Sequence, residues 1–327
     1  MKIAIALPQG VAPRSGNRHT AARWSRFLRE LGHRVRVVAE WRGGDDDLLL
    51  ALHARKSAAS TACFREQRPA APLIVALTGT DLYRDIRTSP EAVRALDIAT
   101  RLAVLQDEGP RALAPRLRHK TCVVCQSSDV RLRHAPSKTR FRVAVLGHLR
   151  SEKDPFRAAH ALQRIERSAG VEVLQIGAAL DAQMRAEAND WESRDPRYRW
   201  LGSLPHAAAM RRLASSHLLV VSSVMEGGAN VICEAVRIGV PVLASRIPGN
   251  VGMLGRDYPG YFPLGDDAAL AQLLERCNRD ARFYGMLKSA LARRRGLFAP
   301  AAERAALKRL LQGLPGRSPA GRSAARR

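Results

Sequence analysis

Between Leu218 and Ala244 the sequence spells out a complete unit of structure. Leu218-Leu219-Val220-Val221 is an apolar run too short for a helix and suited to a strand buried on both faces. Ser222-Ser223-Val224-Met225-Glu226-Gly227-Gly228-Ala229 turns the chain, a short helix follows, and Val240-Pro241-Val242-Leu243-Ala244 forms the next strand. A strand, a glycine-rich turn, a helix and a further strand make the βαβ geometry that binds nucleotide phosphates at the helix start.

The same alternation runs through the whole chain and predicts an α/β fold with parallel sheets. In the first half the expected strands are Lys2–Leu7, Arg34–Ala39, Leu48–Leu52, Leu73–Leu77, Leu102–Leu105 and Thr121–Gln126. In the second they are Phe141–Leu146, Val171–Ile176, Tyr198–Leu201, Leu218–Val221 and Val240–Ala244. A helix over Ala21–Leu31 places Trp24, Phe27, Leu28 and Leu31 on one face and ends at Gly32. Ala135-Pro136-Ser137-Lys138-Thr139 has the composition of a linker. The expected organisation is therefore two doubly wound domains, residues 1–138 and 139–298, facing a cleft. A helix within 299–315 packs back on the first domain, and 316–327 form a disordered basic tail.

Composition removes several classes. No apolar run reaches the roughly 18 residues of a membrane span, so a cytoplasmic protein without membrane contact is expected. Five cysteines argue against a secreted disulfide framework. Cys122-Val123-Val124-Cys125 lacks a second pair to complete a zinc site and reads as part of a strand. The net charge of +24 is interleaved with acidic residues, and no nucleic-acid-binding motif accompanies it. Attraction of small anionic substrates is the favoured reading of that charge, with no nucleic-acid partner.

Three loops combine residues able to hold an anion or a sugar. After the first strand, Gly16 permits close backbone approach and Thr20 is a helix cap. Arg14, Arg18 and His19 bring positive charge to the same loop, beside Asn17. After Phe141–Leu146 comes Gly147-His148-Leu149-Arg150-Ser151-Glu152-Lys153-Asp154-Pro155, in which Lys153 is a point charge for a phosphate. In the third loop, Gly227 and Gly228 let a diphosphate touch backbone, and the N–H groups of Ala229, Asn230, Val231 and Ile232 point at it. Glu234, expected in the first turn of that helix, would repel phosphate but accept hydrogen bonds from a ribose diol. Glu226 precedes the glycines, where it can meet sugar hydroxyls or charge developing at C1.

Glu226 and Glu234, seven residues apart and followed by Gly239-Val240-Pro241-Val242, resemble the Glu–seven–Glu motif of nucleotide-sugar glycosyltransferases with the GT-B fold. That resemblance implies that Glu234 binds the donor ribose, Glu226 the donor sugar, and the glycine turn the diphosphate. It also implies an enzyme that needs neither metal nor cofactor, with the UDP-sugar as co-substrate. The family places an arginine and a lysine in a Gly-Arg-Leu-x-x-Glu-Lys pattern. Here Lys153 matches, His148 stands at the arginine position, and Arg150 is the neighbouring cation.

Pro8-Gln9-Gly10, Ser15-Gly16-Asn17-Arg18-His19-Thr20, Leu77-Thr78-Gly79-Thr80-Asp81-Leu82-Tyr83, Gly147-His148-Leu149-Arg150 and Ile247-Pro248-Gly249-Asn250 are similar to the selenosugar synthases of selenoneine biosynthesis. Those enzymes join selenophosphate to a UDP-sugar and work beside others that supply selenophosphate and use the selenosugar. The resemblance implies catalytic roles for Glu226, His148 and Lys153, donor contacts at Arg150 and Gly227 to Val231, and acceptor contacts at Gly16, Asn17, Arg18, His19 and Asp81. Arg84 and Arg87 are further cations near Asp81. The readings left open are a UDP-sugar transferase with another small or lipid acceptor, a nucleotide-sugar-binding protein without turnover, and a basic nucleic-acid-binding protein.

Overall fold

The computed structural model describes residues 1–8 and 16–314. Arg14 and the tail 316–327 lie outside the described residues. The chain divides into two compact units, residues 1–126 joined by the chain from Ala301, and residues 127–300.

The first unit is built on a parallel sheet of β1 (Lys2–Ala6), β2 (Arg34–Val38), β3 (Leu48–Leu52), β4 (Leu73–Ala76), β5 (Arg101–Val104) and β6 (Thr121–Val123). Their order across the sheet is β2-β1-β3-β4-β5-β6. β3 and β4 are buried at every position, which is why they read as continuous apolar runs rather than alternating ones. Alternate residues feed two cores. Leu49, Ala51, Leu73 and Val75 pack with Trp41 and Phe64 on one face. Leu48, Leu50, Leu52 and Ile74 pack with Trp24, Phe27 and Leu28 on the other. Each fully buried leucine contributes about 2 kcal/mol through removal from water.

The first helix begins at Gly16, five residues before its expected start at Ala21, and ends at Glu30. Thr20 is therefore inside the helix and not its cap. Its hydroxyl donates back to the Gly16 carbonyl at 2.9 Å and accepts from Gln126 Nε2 at 2.5 Å. Pro300–Leu311 is a helix of this unit and supplies Leu307 and Leu310 to the core around Trp24. The buried Glu303 carboxylate receives Trp24 Nε1 and Arg23 Nε, both at 2.7 Å.

The second unit repeats the plan with β7 (Phe141–Leu146), β8 (Val171–Ile176), β9 (Tyr198–Trp200), β10 (Leu218–Val221), β11 (Val242–Ser245) and β12 (Tyr261–Phe262). The order is β12-β11-β10-β7-β8-β9, all parallel. β12 has only two residues, too short for a pattern, and the sequence gives no sign of it. Residues 127–138, expected in the first domain, belong here. His134 N–H donates to Ile238 O, Ala135 N–H to Ala214 O and Ser137 N–H to Ser215 O, so the linker-like stretch is stitched to this unit. Among the described residues no helix is long and apolar enough to cross a membrane. Cys122 and Cys125 are half-buried thiols not joined in a disulfide, the former within β6.

In both sheets the strand order reverses once, between β1 and β3 and between β7 and β10. In open α/β sheets that reversal leaves a crevice beyond the carboxyl ends of the two strands, because their crossovers depart to opposite faces. The loops after β7 and β10 carry the residues singled out from the sequence.

Candidate active site

Three loops of the second unit meet beyond the β7–β10 reversal. Ser222 Oγ, one residue past β10, donates to the carbonyls of Lys153 (3.1 Å) and Asp154 (2.7 Å). Val224 N–H donates to Glu152 O at 2.9 Å. These bonds tie the β7 loop to the β10 loop and carry Lys153 to Glu226. The Lys153 ammonium is hydrogen-bonded to Glu226 Oε1, and Ser223 Oγ donates to the same oxygen at 2.7 Å. Glu226 is 8% exposed, and its Oε2 accepts from no described residue. A buried carboxylate keeps its charge only with partners of this kind.

The third loop follows β11. Ser245 Oγ donates to Ser223 O at 2.6 Å, and Asn250 Nδ2 donates to Ser245 O at 3.0 Å. Gly249 lies against Glu226 so closely that a Cβ there would stand 2.0 Å from the Glu226 carbonyl oxygen. Gly177, after β8, has the same relation to the β7 loop: φ is +156° and a Cβ would meet Gly147 O at 1.8 Å. Glycine is therefore required at both positions for the loops to approach one another.

A crevice between the loops is lined by Leu146, Gly147, Lys153, Gln175, Glu226 and Val231. Gln175 was not singled out from the sequence. It is buried on β8 and its Oε1 has no partner, leaving an acceptor facing the crevice. A polar side chain inside an apolar strand was the available signal.

The helix after the glycine turn spans Asn230–Ile238 with Ala229 as its cap residue. Two expectations need correction. The Ala229 N–H is not presented to a ligand; it points to Met253 Sδ at 3.0 Å, and Ile232 N–H returns to Ala229 O at 3.0 Å. Glu234 is the fifth helical residue and so lies in the second turn, not the first. Its Oε1 accepts from His206 Nε2 at 2.7 Å. This hydrogen bond raises the His206 pKa above its ordinary value of 6.5. Gly227 is buried, whereas Gly228, Asn230 and Val231 are half-buried, and Val231 lines the crevice. His148 is half-buried and Arg150 is exposed with no described partner for its side chain.

In the first unit, Gly16, Asn17, Arg18 and His19 form the opening turn of a helix rather than a loop. Gly16, Arg18 and His19 are exposed there. Asp81 is not available to an acceptor. It is 0% exposed, and its carboxylate accepts from the N–H groups of Thr78 (2.8 Å), Gly79 (2.9 Å) and Ala54 (2.9 Å). Asp81 is thus a clamp between the β3 and β4 loops, at the start of a π-turn over Asp81–Asp85.

That clamp holds His53, a residue sequence reasoning missed. His53 follows β3, is 2% exposed, and has a left-handed φ of 77°. Such a conformation is costly for a side chain with a Cβ and persists only where neighbours fix it. Here His53 N–H donates to Ala76 O, and the next N–H is held by Asp81. Lys56 N–H donates to Nδ1, so Nε2 carries the proton and faces Thr80 Oγ1 at 3.0 Å. Burial lowers the His53 pKa, which keeps the ring neutral. Asp85 lies 3.7 Å from Nε2 and is paired with Arg55 at 2.9 Å and Arg84 at 3.3 Å.

Among the described residues no group of three or more His, Cys, Asp or Glu is placed to hold a metal ion. Comparison with solved structures decides the architecture. HepE of Anabaena in complex with UDP-glucose superposes with a TM-score of 0.76 at 17% identity, covering 95% of this chain and 99% of that one. The chain has the GT-B fold. Sucrose-phosphate synthase of Thermosynechococcus elongatus gives 0.76 at 15% identity, over 95% and 98% of the two chains. The catalytic domain of starch synthase IV from Arabidopsis thaliana, bound to ADP and acarbose, gives 0.69 at 12% identity, over 94% and 98%. The family "Glycosyl transferases group 1" matches residues 140–280, the segment that holds Lys153, Glu226 and Glu234. No curated protein matches the sequence.

Proposed function

We propose that the protein is a glycosyltransferase that takes a UDP-sugar as donor and selenophosphate as acceptor. The donor half of the reading rests on one observation. At the β7–β10 reversal, within the segment matching group 1 glycosyl transferases, Lys153 is held on Glu226 while Glu226 and Glu234 each keep an oxygen without a described partner. A lysine meets the diphosphate as a point charge, and carboxylate oxygens accept hydroxyl donors from ribose and from the transferred sugar. The complexes of GT-B neighbours with UDP-glucose and with ADP support a nucleotide ligand for this fold.

The acceptor half rests on the sequence resemblance and on charge. Selenophosphate is anionic and largely deprotonated at selenium, so it needs cations more than a general base. Arg18, Arg55 and Arg84 are cations near the carboxyl ends of the first unit's strands, and the net charge of +24 favours an anionic acceptor. In the transfer the selenium–C1 bond forms as the C1–oxygen bond to the diphosphate breaks and UDP leaves. One water then takes the phosphoryl group from selenium as phosphate, leaving the 1-selenosugar. The test incubates the pure protein with UDP-glucose or UDP-N-acetylglucosamine and selenophosphate. UDP release that depends on selenophosphate, with a selenosugar by mass spectrometry, is expected. UDP release that depends only on a sugar acceptor would instead establish a transferase of carbohydrate type.

A further inference from the structure

Glu234 already has a partner. His206 Nε2 lies 2.7 Å from its Oε1, and the contact between these residues, 28 apart in sequence, joins two helices. His206 is the first residue of the helix His206–Ala214, and the backbone at Pro205 before it has a φ of −55°. The imidazole therefore approaches from a fixed helix start rather than from a free loop. The Glu234 side chain is 16% exposed and that of His206 55% exposed. The pair lies at the surface, where a glutamate would otherwise sample several rotamers. Oε2 has no partner among the described residues and is left for a ligand. Asp129 is the other charge that acts on the imidazole.

We propose that His206 is a positioning residue that sets the nucleotide specificity of the site. By anchoring Oε1 it fixes the plane of the Glu234 carboxylate, so that a vicinal diol meets a carboxylate already oriented. A ribonucleotide gains both hydroxyl contacts without ordering the side chain, whereas a 2′-deoxyribonucleotide can make only one. The inference rests on the donor-site reading given above and adds to it the residue that enforces ribose over deoxyribose. Preorganisation of this kind is expressed as affinity, because the ordering has been completed before the ligand arrives.

Calorimetric titration of UDP, 2′-deoxy-UDP and pyrophosphate into the wild-type protein and the H206A, H206Q and E234A variants tests it. The wild type is expected to bind UDP about tenfold more tightly than 2′-deoxy-UDP, as one hydrogen bond to a carboxylate implies. E234A loses that ratio. H206A loses most of it while keeping the wild-type affinity for pyrophosphate. H206Q, whose amide nitrogen reaches about as far as Nε2, restores it. A wild-type ratio in H206A, or a loss in H206Q equal to that in H206A, overturns the role of His206 while E234A still reports on the ribose contact. An unchanged ratio in E234A overturns the donor-site reading itself, and the inference falls with it.

Discussion

The two sheets end in carboxylates that do opposite things. Beyond β3 and β4, Asp81 is fully buried and accepts from three backbone N–H groups. Beyond β10, Glu226 and Glu234 are each held through one oxygen by side chains, Lys153 and Ser223 on the first and His206 on the second, and keep the other oxygen unpartnered among the described residues. A buried carboxylate whose oxygens are taken up mainly by backbone donors fixes loops and has little left for a ligand. One anchored at a single oxygen by a side-chain donor is oriented and still able to accept. The first unit thus builds rigidity from charge, and the second leaves charged oxygens able to accept.

The contrast can be broken most severely at Asp81. Asp81→Ala leaves the Thr78, Gly79 and Ala54 N–H groups buried without an acceptor and should destabilise the protein by about 4 kcal/mol in urea denaturation. The folded fraction should still bind UDP with wild-type affinity; a tighter dependence of binding on Asp81 than of stability would reverse the assignment. At Glu226 the expected effect is on the ligand. Lys153→Ala removes the cation held there and should weaken UDP binding by about 2–3 kcal/mol, roughly 100-fold, in calorimetry. Gly249→Ala pushes a methyl group against the Glu226 carbonyl and should cost about 2 kcal/mol of stability, with a loss of UDP affinity beyond it.

The smallest effect concerns pH. His206 has its pKa raised by the hydrogen bond to Glu234, so the stability it contributes is full below its ordinary value of 6.5 and is lost as pH rises through the raised value. The half-exposed pair is screened, and the stability difference between wild type and H206A should stay below about 1 kcal/mol. It should be largest below pH 6.5 and fade on the alkaline side. A difference that grows with pH would mean that the imidazole is not held by Glu234.

Much of this was legible in the sequence because parallel strands buried on both faces leave plain apolar runs. β3, β7, β8 and β10 have the boundaries read from the residues alone. The Lys153, Glu226 and Glu234 loops were legible because glycines and charges crowd strand ends. Tertiary pairings were not. Thr20 reads as a cap, yet it lies inside a helix, where its hydroxyl accepts from Gln126, over one hundred residues away. Asp81 reads as a ligand residue until its backbone partners are seen. His53 has no signal beyond its place after β3, since the strain that marks it is a backbone angle. His206 and Gln175 matter through contacts with residues distant in sequence, which a local pattern does not carry.

Amide hydrogen exchange with and without UDP tests whether the donor is held by the loops after β7 and β10. Slowed exchange is expected in residues 147–154 and 226–235, with no change in the Asp81 loop. Exchange left unaltered in both segments by saturating UDP would contradict it.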